Sequence, residues 1–578
     1  MATDGWGYMS AAAGVVDSLR RAGVKRVFAI PAVETTELFE AFLHSSVELV
    51  LVTQEQCAAH MADAHTRVTG ELSACLVGPG AGLTSSLSGI TGARLDSTPM
   101  IVLVASPPSP SQLVASSRLE VLDPMVGSRP LCKGVFAIEE PEEVPAVLSQ
   151  AIQIARGGEP GPVLVEIPAE VQGKSGRMEG TGFKQGPRLL SDTAKHDLSK
   201  VILMIDQARN VGLYAGAGCF DATDELSELA QRLEAPVATT LTGLGVLPTI
   251  HPLVVGYGPG RAGTPLAEQV FSRCDLVVAM GCKFYEVAAG LEGTAAQTNL
   301  VHIDIEPTEA LQNVQAAVAV QAPAKQAMRF LLDKLEEKTQ PNVREIIRNG
   351  KSTFKAAISK RVEWVDAVDP VKFFNVLGEL LGSEDRLILD SGRHAYFGIA
   401  SFQVQAERTL IAPIGYRALG FSVPAAVAAA MAQPERRVVA CIGDGGFLLT
   451  GSELLTARRC NVAPVIVVFA ETPLNTDFSF SSRLIERKTQ VDLMPVNYEQ
   501  MAKAFDVGFI QIMRDSELEA GLKTALTMEA PVIVEMRVAY READPYLKGA
   551  KRKTWQRLTR PLALRLGAQF IMHRILED

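Results

Sequence analysis

The sequence predicts an α/β protein of three consecutive domains, each a mostly parallel sheet flanked by helices, with a basic C-terminal tail. Three observations carry that prediction. A chain of 578 residues has room for three or four compact units at about 100–200 residues each. The composition is globular, 47% hydrophobic and 21% charged, which excludes a disordered chain, a collagen-like repeat and a small disulfide scaffold. Short runs of Val, Ile and Leu alternate with amphipathic stretches from end to end, as expected for strands covered on both faces by helices.

In the first domain, residues 1–170, the pattern predicts strands over Arg26–Ile30, Leu49–Val52, Ala74–Val77 and Met100–Val104. Helices are expected over Thr35–Leu43, Gln56–Val68 and Thr84–Arg94, and a further helix, Glu143–Ala155, leads into a strand at Val163–Ile167. Residues 171–190, rich in Gly, Lys and Arg, read as a linker. The second domain, 191–340, shows strand patterns at Val211–Tyr214, Val237–Thr239, Leu276–Ala279 and Leu300–Ile303. The charged stretch Glu336–Arg361 reads as a surface helix, making 341–369 a helical bridge. The third domain, 370–544, has strands expected at Leu387–Leu389, Val438–Ile442, Val465–Phe469 and Val532–Met536. Three such units in a row suggest a triplicated architecture, although no exact repeat is visible.

Fifty-six basic against 65 acidic residues give a net charge of −9, which argues against nucleic acid as a partner. No apolar run reaches the roughly 18 residues of a membrane span, and the N-terminus lacks a secretory pattern. Eight scattered cysteines without a CxxC pair read as buried free thiols in a reducing compartment. A soluble, cytoplasmic protein is expected.

The strongest local signal for chemistry is Gly443-Asp444-Gly445-Gly446, directly after a predicted strand. Ligands of α/β folds bind at the C-terminal ends of parallel strands. Glycines there let backbone N–H groups approach an anion, and the predicted following helix, Ser452–Arg459, offers its positive end. An Asp among such amides suits a divalent cation bridging to phosphate. A tight turn with a solvated Asp is the plain alternative. Glu55, at the end of a strand and before a helix of small residues, either favours the helix N-terminus or, if buried, shares a proton with a bound base. Gly78-Pro79-Gly80-Ala81-Gly82 has the chemistry of an anion-binding loop and equally of an ordinary strand–helix turn.

The order of these pieces resembles a thiamine-diphosphate enzyme of the acetolactate synthase, pyruvate oxidase and 2-oxo acid decarboxylase superfamily. The resemblance covers about residues 8–540. It runs through Glu55-Gln56 before Ala58-Ala59-His60-Met61-Ala62, Gly78-Pro79-Gly80 and Gly161-Pro162-Val163-Leu164-Val165-Glu166-Ile167-Pro168. Thr239-Thr240, His251-Pro252 and Gly263-Thr264-Pro265 continue it in the middle domain. Asp390-x-Gly392-x-His394, Leu419-Gly420-Phe421-x-x-Pro424-Ala425-Ala426 and Gly443-Asp444-Gly445 complete it. It implies that the first domain binds the aminopyrimidine ring, that the middle one is structural or flavin-binding, and that the third binds the diphosphate. Gly392, Arg393, His394, Leu419, Gly443, Asp444, Gly445 and Gly446 would then hold the cofactor. Glu55 would be catalytic, promoting the imino tautomer that generates the C2 ylide, with Leu419 wedging the cofactor into its bent shape. A homodimer or homotetramer with inter-subunit active sites is implied too.

Some positions depart from the superfamily pattern. The metal-binding Asn expected 27 residues after the GDG aspartate is Glu471 here, so the implied Mg²⁺ ligands are Asp444, Glu471 and the carbonyl of Pro473. Arg417 replaces a Gly two positions before the wedge residue, and Arg393 replaces a Gln. Ser106–Gln112 lacks the vicinal His pair of pyruvate decarboxylases, favouring carboligation over aldehyde release. Gly216-x-Gly218, Gly258-Pro259-Gly260-Arg261 and Asp304-Ile305-Glu306-Pro307 lie where flavin contacts would fall; FAD is weighed and not favoured. The expected activity is a carboligase that decarboxylates a 2-oxo acid and transfers the acyl unit to a carbonyl acceptor, forming an acetolactate or acyloin. A C–C lyase on 2-hydroxyacyl or hydroxy-ketone substrates and a non-catalytic cofactor-binding homologue stay open beside it.

The tail, Pro545–Asp578, carries eight Lys or Arg against Glu577 and Asp578. Leu562, Leu566 and Phe570 recur in it at helical spacing. Such a basic helix either straps across the acidic body or touches an anionic membrane; the strap is the favoured reading.

Overall fold

The computed structural model describes residues 7–106, 127–179, 189–259, 263–284, 299–307, 315–361, 366–470 and 496–540. Glu471, Pro473, Gly260, Arg261, residues 107–112 and the tail Pro545–Asp578 lie outside them. Strand β1 (Tyr8–Ser10) starts the described chain. Strands β2 (Arg26–Ala29), β3 (Glu48–Leu51), β4 (Ser73–Val77), β5 (Met100–Ser106), β6 (Gly134–Ala137) and β7 (Pro162–Pro168) form the first sheet, in the order β3-β2-β4-β5-β7-β6. After β8 (Ser175–Arg177), the second sheet is built from β9 (Val211–Ala215), β10 (Val237–Thr239), β11 (Val254–Tyr257), β12 (Leu276–Met280), β13 (Asn299–Asp304) and β14 (Val318–Gln321), in the order β11-β10-β9-β12-β13-β14. The third contains β15 (Arg386–Leu389), β16 (Leu410–Ile411), β17 (Val438–Gly443), β18 (Val465–Ala470), β19 (Gly508–Ile512) and β20 (Val532–Arg537), in the order β16-β15-β17-β18-β20-β19. All pairs within these three sheets are parallel.

The fold class read from the sequence holds, but triplication does not. Counted within each sheet, the first and third share the order 2-1-3-4-6-5, whereas the middle sheet runs 3-2-1-4-5-6. The first and third domains are thus two versions of one topology around a different middle domain. Short strands without turn signals of their own were not legible: β6, β11, β14, β16 and β19 are additions. The stretch read as a linker contains β8, which pairs antiparallel with β1 and ties it to the start of the chain. Glu336–Arg361 is helical only over Val343–Ser359. The helix after β17 begins at Asp444 itself, not at Ser452, because Gly443 leaves the strand directly into a helical turn.

The shared topology positions the site. In the first domain β3 leads to the helix Glu55–Thr69; in the third, β16 leads through a loop to the equivalent helix Ser422–Ala432. These helices bury small faces in one core: Cys57, Ala58, Ala59 and Ala62 on one side, Ala425, Ala426 and Ala429 on the other. Small side chains allow close approach, and burying several of them contributes at roughly 25 cal/mol per Å² of apolar surface. Gly89, on the helix Ala81–Leu95, is needed for the same reason, since an added Cβ would lie 2.5 Å from that of Ala59.

The first and middle domains meet at charges. Ser97 (3.0 Å), Arg94 (3.3 Å) and Lys283 converge on the carboxylate of Glu159, whose backbone N–H donates to Glu306 at 3.0 Å. Beside them burial, with Glu159 and Glu306 adding to it, pushes the carboxyl of Asp304 up to about 6. Between the unfolded value near 3.8 and about 6 the folded protein holds the extra proton, so this group's contribution to stability falls as pH rises through that window. Asp304→Asn is therefore expected to remove this falling contribution and make the pH slope of the thermal midpoint more positive between about pH 4 and pH 6, where one proton gives at most about 1.4 kcal/mol per pH unit. An unchanged slope would show that Asp304 titrates normally.

Candidate active site

Strands β15 and β17 are the neighbours at which the third sheet reverses its order, the place where open α/β sheets bind ligands. Their register pairs Leu389 with Cys441, so the chain leaves them side by side at Asp390 and at Gly443-Asp444. Asp390 is fully buried and accepts N–H bonds from Ser391 (2.8 Å), Gly420 (3.0 Å) and Ser422 (2.8 Å). Burial raises its carboxyl to about 6 against these donors. The carboxylate thereby fixes the loop that carries Leu419. Gly446 lets the Asp444 helix approach, since its added Cβ would lie 3.2 Å from Asp390 Oδ1.

Among the described residues the glycine cradle is open: an added Cβ on Gly443 would meet none of them within 4 Å, and on Gly445 only Leu419 Cδ2 at 3.9 Å. Leu419 is 43% exposed, so it is not a core residue. Asp444, the first residue of its helix, is nearly buried and accepts a hydrogen bond from the hydroxyl of Tyr498. Burial and then the Asp444 charge hold that phenol protonated. Gly392 lets His394 fold back, because an added Cβ would lie 2.6 Å from the imidazole Cε1. His394 is buried, its imidazole is pushed down to about 4 by that burial, and among the described residues Nε2 has no hydrogen-bond partner. Arg393 begins the same helix and lies 5.5 Å over the ring of Tyr540.

Glu55 is the first residue of its helix and half-buried, with Gly82 of the Gly78–Gly82 loop 3.6 Å from Oε1 by an added Cβ. Its turn is held by the third domain. Glu453, fully buried just beyond the Asp444 helix, accepts the Thr53 hydroxyl at 2.6 Å and the Thr53 N–H at 3.2 and 3.3 Å. The thiol of Cys57, kept protonated by burial and then by Glu453, bonds the same carboxylate. Next door, Gln56 Nε2 donates to the carbonyl of Leu419 at 3.4 Å. The structure thus gathers Gly392, His394, Leu419 and Gly443–Gly446 around β15 and β17, and brings Glu55 against that assembly only through its neighbours.

The wedge loop is also clamped from the first domain. Arg67 makes paired bonds to Asp63 (2.8 and 2.7 Å), reaches Asp96 at 3.0 Å and donates to the Ala412 carbonyl at 3.0 Å. Asp96 accepts the Gly415 N–H at 2.7 Å. Burial opposes the charge on Arg67, but Asp63 and Asp96 outweigh it and hold the guanidinium ionised.

Comparison with known proteins decides the family. Residues 9–124 match the sequence model of the thiamine pyrophosphate enzyme N-terminal TPP binding domain, 198–331 its central domain and 390–536 its C-terminal TPP binding domain. The chain is a thiamine pyrophosphate enzyme of the acetolactate synthase type. The probable acetolactate synthase large subunit of Methanocaldococcus jannaschii is 29% identical over 94% of this chain and 95% of that protein. The Escherichia coli isozyme 1 large subunit is 26% identical over 91% and 93%, and the chloroplastic acetolactate synthase 1 of Oryza sativa 27% over 91% and 84%.

These groups fit the diphosphate end of thiamine pyrophosphate: a glycine cradle open among the described residues, a helix start, a buried Asp and an imidazole nitrogen with no described partner. Among the described residues no three His, Cys, Asp or Glu side chains cluster for a metal; Asp444 is the described member of the expected set. Gly216 and Gly218 press on Gly281, whose carbonyl and Cα an added Cβ would strike, so these glycines serve backbone packing. Sequence reading missed the roles of Asp390, Glu453, Tyr498, Arg67 and Asp96. Asp390 had a signal, a carboxylate ending a strand as Asp444 does. Glu453 had none, lying 400 residues from Thr53.

Proposed function

We propose that this enzyme is a decarboxylating carboligase that takes a 2-oxo acid as acyl donor and joins the acyl unit to a second carbonyl compound, forming an acetolactate. The observation that carries this reading is the open cradle Gly443–Gly446 with Asp444 at its helix start and Leu419 at its edge. The acetolactate synthases that match along nearly the whole chain support the choice of reaction. When bound, thiamine diphosphate supplies the carbon nucleophile and electron sink that a protein side chain lacks. Gly443 and Gly445 admit the diphosphate to the backbone N–H groups at the helix start, and His394 Nε2 offers it a further polar contact. Asp444, oriented by Tyr498, would hold Mg²⁺, with Glu471 and the Pro473 carbonyl as the further ligands that the resemblance implies. Leu419, on a loop fixed by Asp390, would support the cofactor. Glu55, its turn held by Glu453, would exchange a proton with a ring nitrogen of the aminopyrimidine.

A homo-oligomer with the site between subunits is part of the proposal. Leu448, Leu449 and Leu455, each 43–47% exposed beside Asp444, form an apolar surface suited to a partner chain.

Incubation with pyruvate and other 2-oxo acids, with and without an aldehyde, tests the reaction. CO₂ release with a coupled product is expected; neither across a broad panel would refute it. Asp444→Ala is expected to weaken Mg²⁺ and thiamine diphosphate binding together by more than about tenfold. Wild-type affinity for both in that variant would remove Asp444 from the metal site.

A further inference from the structure

Arg417 sits at φ +60°, in the left-handed region that a side-chain-bearing residue occupies at a cost and a glycine freely. Strain of this kind persists where the surroundings over-determine it, and it concentrates at functional sites. Here the surroundings do so from both sides. Asp96 holds Gly415, Asp390 holds Gly420 and Ser422, and Gln56 holds the Leu419 carbonyl. Between these anchors Arg417 is half-buried, two residues from Leu419. Its Nη1 donates to the hydroxyl of Tyr396 at 3.2 Å, and among the described residues no carboxylate pairs with it. The guanidinium is thus held by a neutral phenol, two residues from Leu419, with donors that no described residue takes up left for an anion.

Resting on the proposed function, we propose that Arg417 is a specificity-determining residue that binds an anionic group which the substrate keeps through the reaction, the carboxylate of the acceptor 2-oxo acid. The chemistry selects a retained group. A guanidinium gripping the carboxylate that departs as CO₂ would stabilise the ground state more than the transition state, in which that charge is leaving. A carboxylate that stays ionised throughout is held equally well at every stage and matches the planar fork of Arg. Arg417 therefore distinguishes a charged acceptor from a neutral aldehyde.

The test uses full-length protein loaded with thiamine diphosphate and Mg²⁺, wild type against Arg417→Gly and Arg417→Lys. Calorimetry measures binding of oxamate, a non-reacting anionic analogue of pyruvate, and of its neutral ethyl ester. Product analysis measures carboligation onto a 2-oxo acid relative to an aldehyde. The assignment predicts that Arg417→Gly binds oxamate at least about tenfold more weakly and loses preference for the charged acceptor to a similar degree. Its ester binding and cofactor affinity stay within about twofold, and its thermal midpoint rises as strain is relieved. Arg417→Lys, with charge but no fork, falls between. Unchanged oxamate affinity overturns the assignment. So does cofactor affinity falling tenfold with acceptor preference intact, which would give Arg417 to the cofactor diphosphate instead. Wild-type protein that fails to bind thiamine diphosphate would refute the proposed function itself, a result read before any variant is made.

Discussion

Replacing Glu55 by Gln lowers turnover by about two to four orders of magnitude while leaving the fold and most of the cofactor affinity intact. The reasoning is steric and chemical together. Glu55 is half-buried at the start of its helix, its turn fixed by Glu453 through Thr53, so a side chain of equal volume stays in place. Gln cannot exchange a proton with a ring nitrogen, and only that property is lost. Steady-state kinetics beside calorimetric cofactor titration check this: kcat should fall with the dissociation constant little changed. Wild-type turnover in Glu55→Gln would reduce Glu55 to a carboxylate that favours a helix N-terminus.

The largest expected effect on stability is at Arg67. Its partners Asp63 and Asp96 have side chains only 1% and 2% exposed, so Arg67→Met leaves two buried carboxylates without their cation. Breaking a buried pair from one side typically costs about 3–5 kcal/mol, because the remaining charge has neither water nor a partner. Arg67 also bonds the Ala412 carbonyl and lies 5.4 Å from the centre of the Phe421 ring, so the wedge loop loosens with it. Denaturant titration should show the loss, and adding Asp63→Asn and Asp96→Asn should recover part of it. A single-variant loss under about 1 kcal/mol would mean that water or a rearranged side chain satisfies both carboxylates.

How much of this was legible in the sequence follows from where the information sits. Strands such as Met100–Ser106 and Val438–Gly443 are continuous apolar runs between helices, and such runs announce themselves. The two-residue strand Leu410–Ile411 and the edge strand Gly508–Ile512, broken by a Gln, carry no such pattern. Gly443–Gly446 and Glu55 were legible because strand, turn and helix start are local. Leu419 was legible only by its motif, and its exposure needed the structure. The duplicated topology of the first and third domains was invisible, since strand order is written in pairings, not in residues. The groups that hold Glu55 and Leu419 in place were equally hidden: Glu453 with Thr53, and Asp96 with Gly415, join residues hundreds of positions apart. The left-handed backbone of Arg417 was anticipated in part, because a glycine is the residue expected there by resemblance.

The cradle at Gly443–Gly446 is proposed to bind the diphosphate of thiamine diphosphate through a metal held by Asp444. Calorimetric titration of cofactor-free wild-type protein with thiamine diphosphate, in the presence and absence of Mg²⁺, tests it most directly. Saturable binding that requires the cation and is lost in Asp444→Ala is expected. No binding with Mg²⁺ present, or binding that persists unchanged in Asp444→Ala, would contradict it.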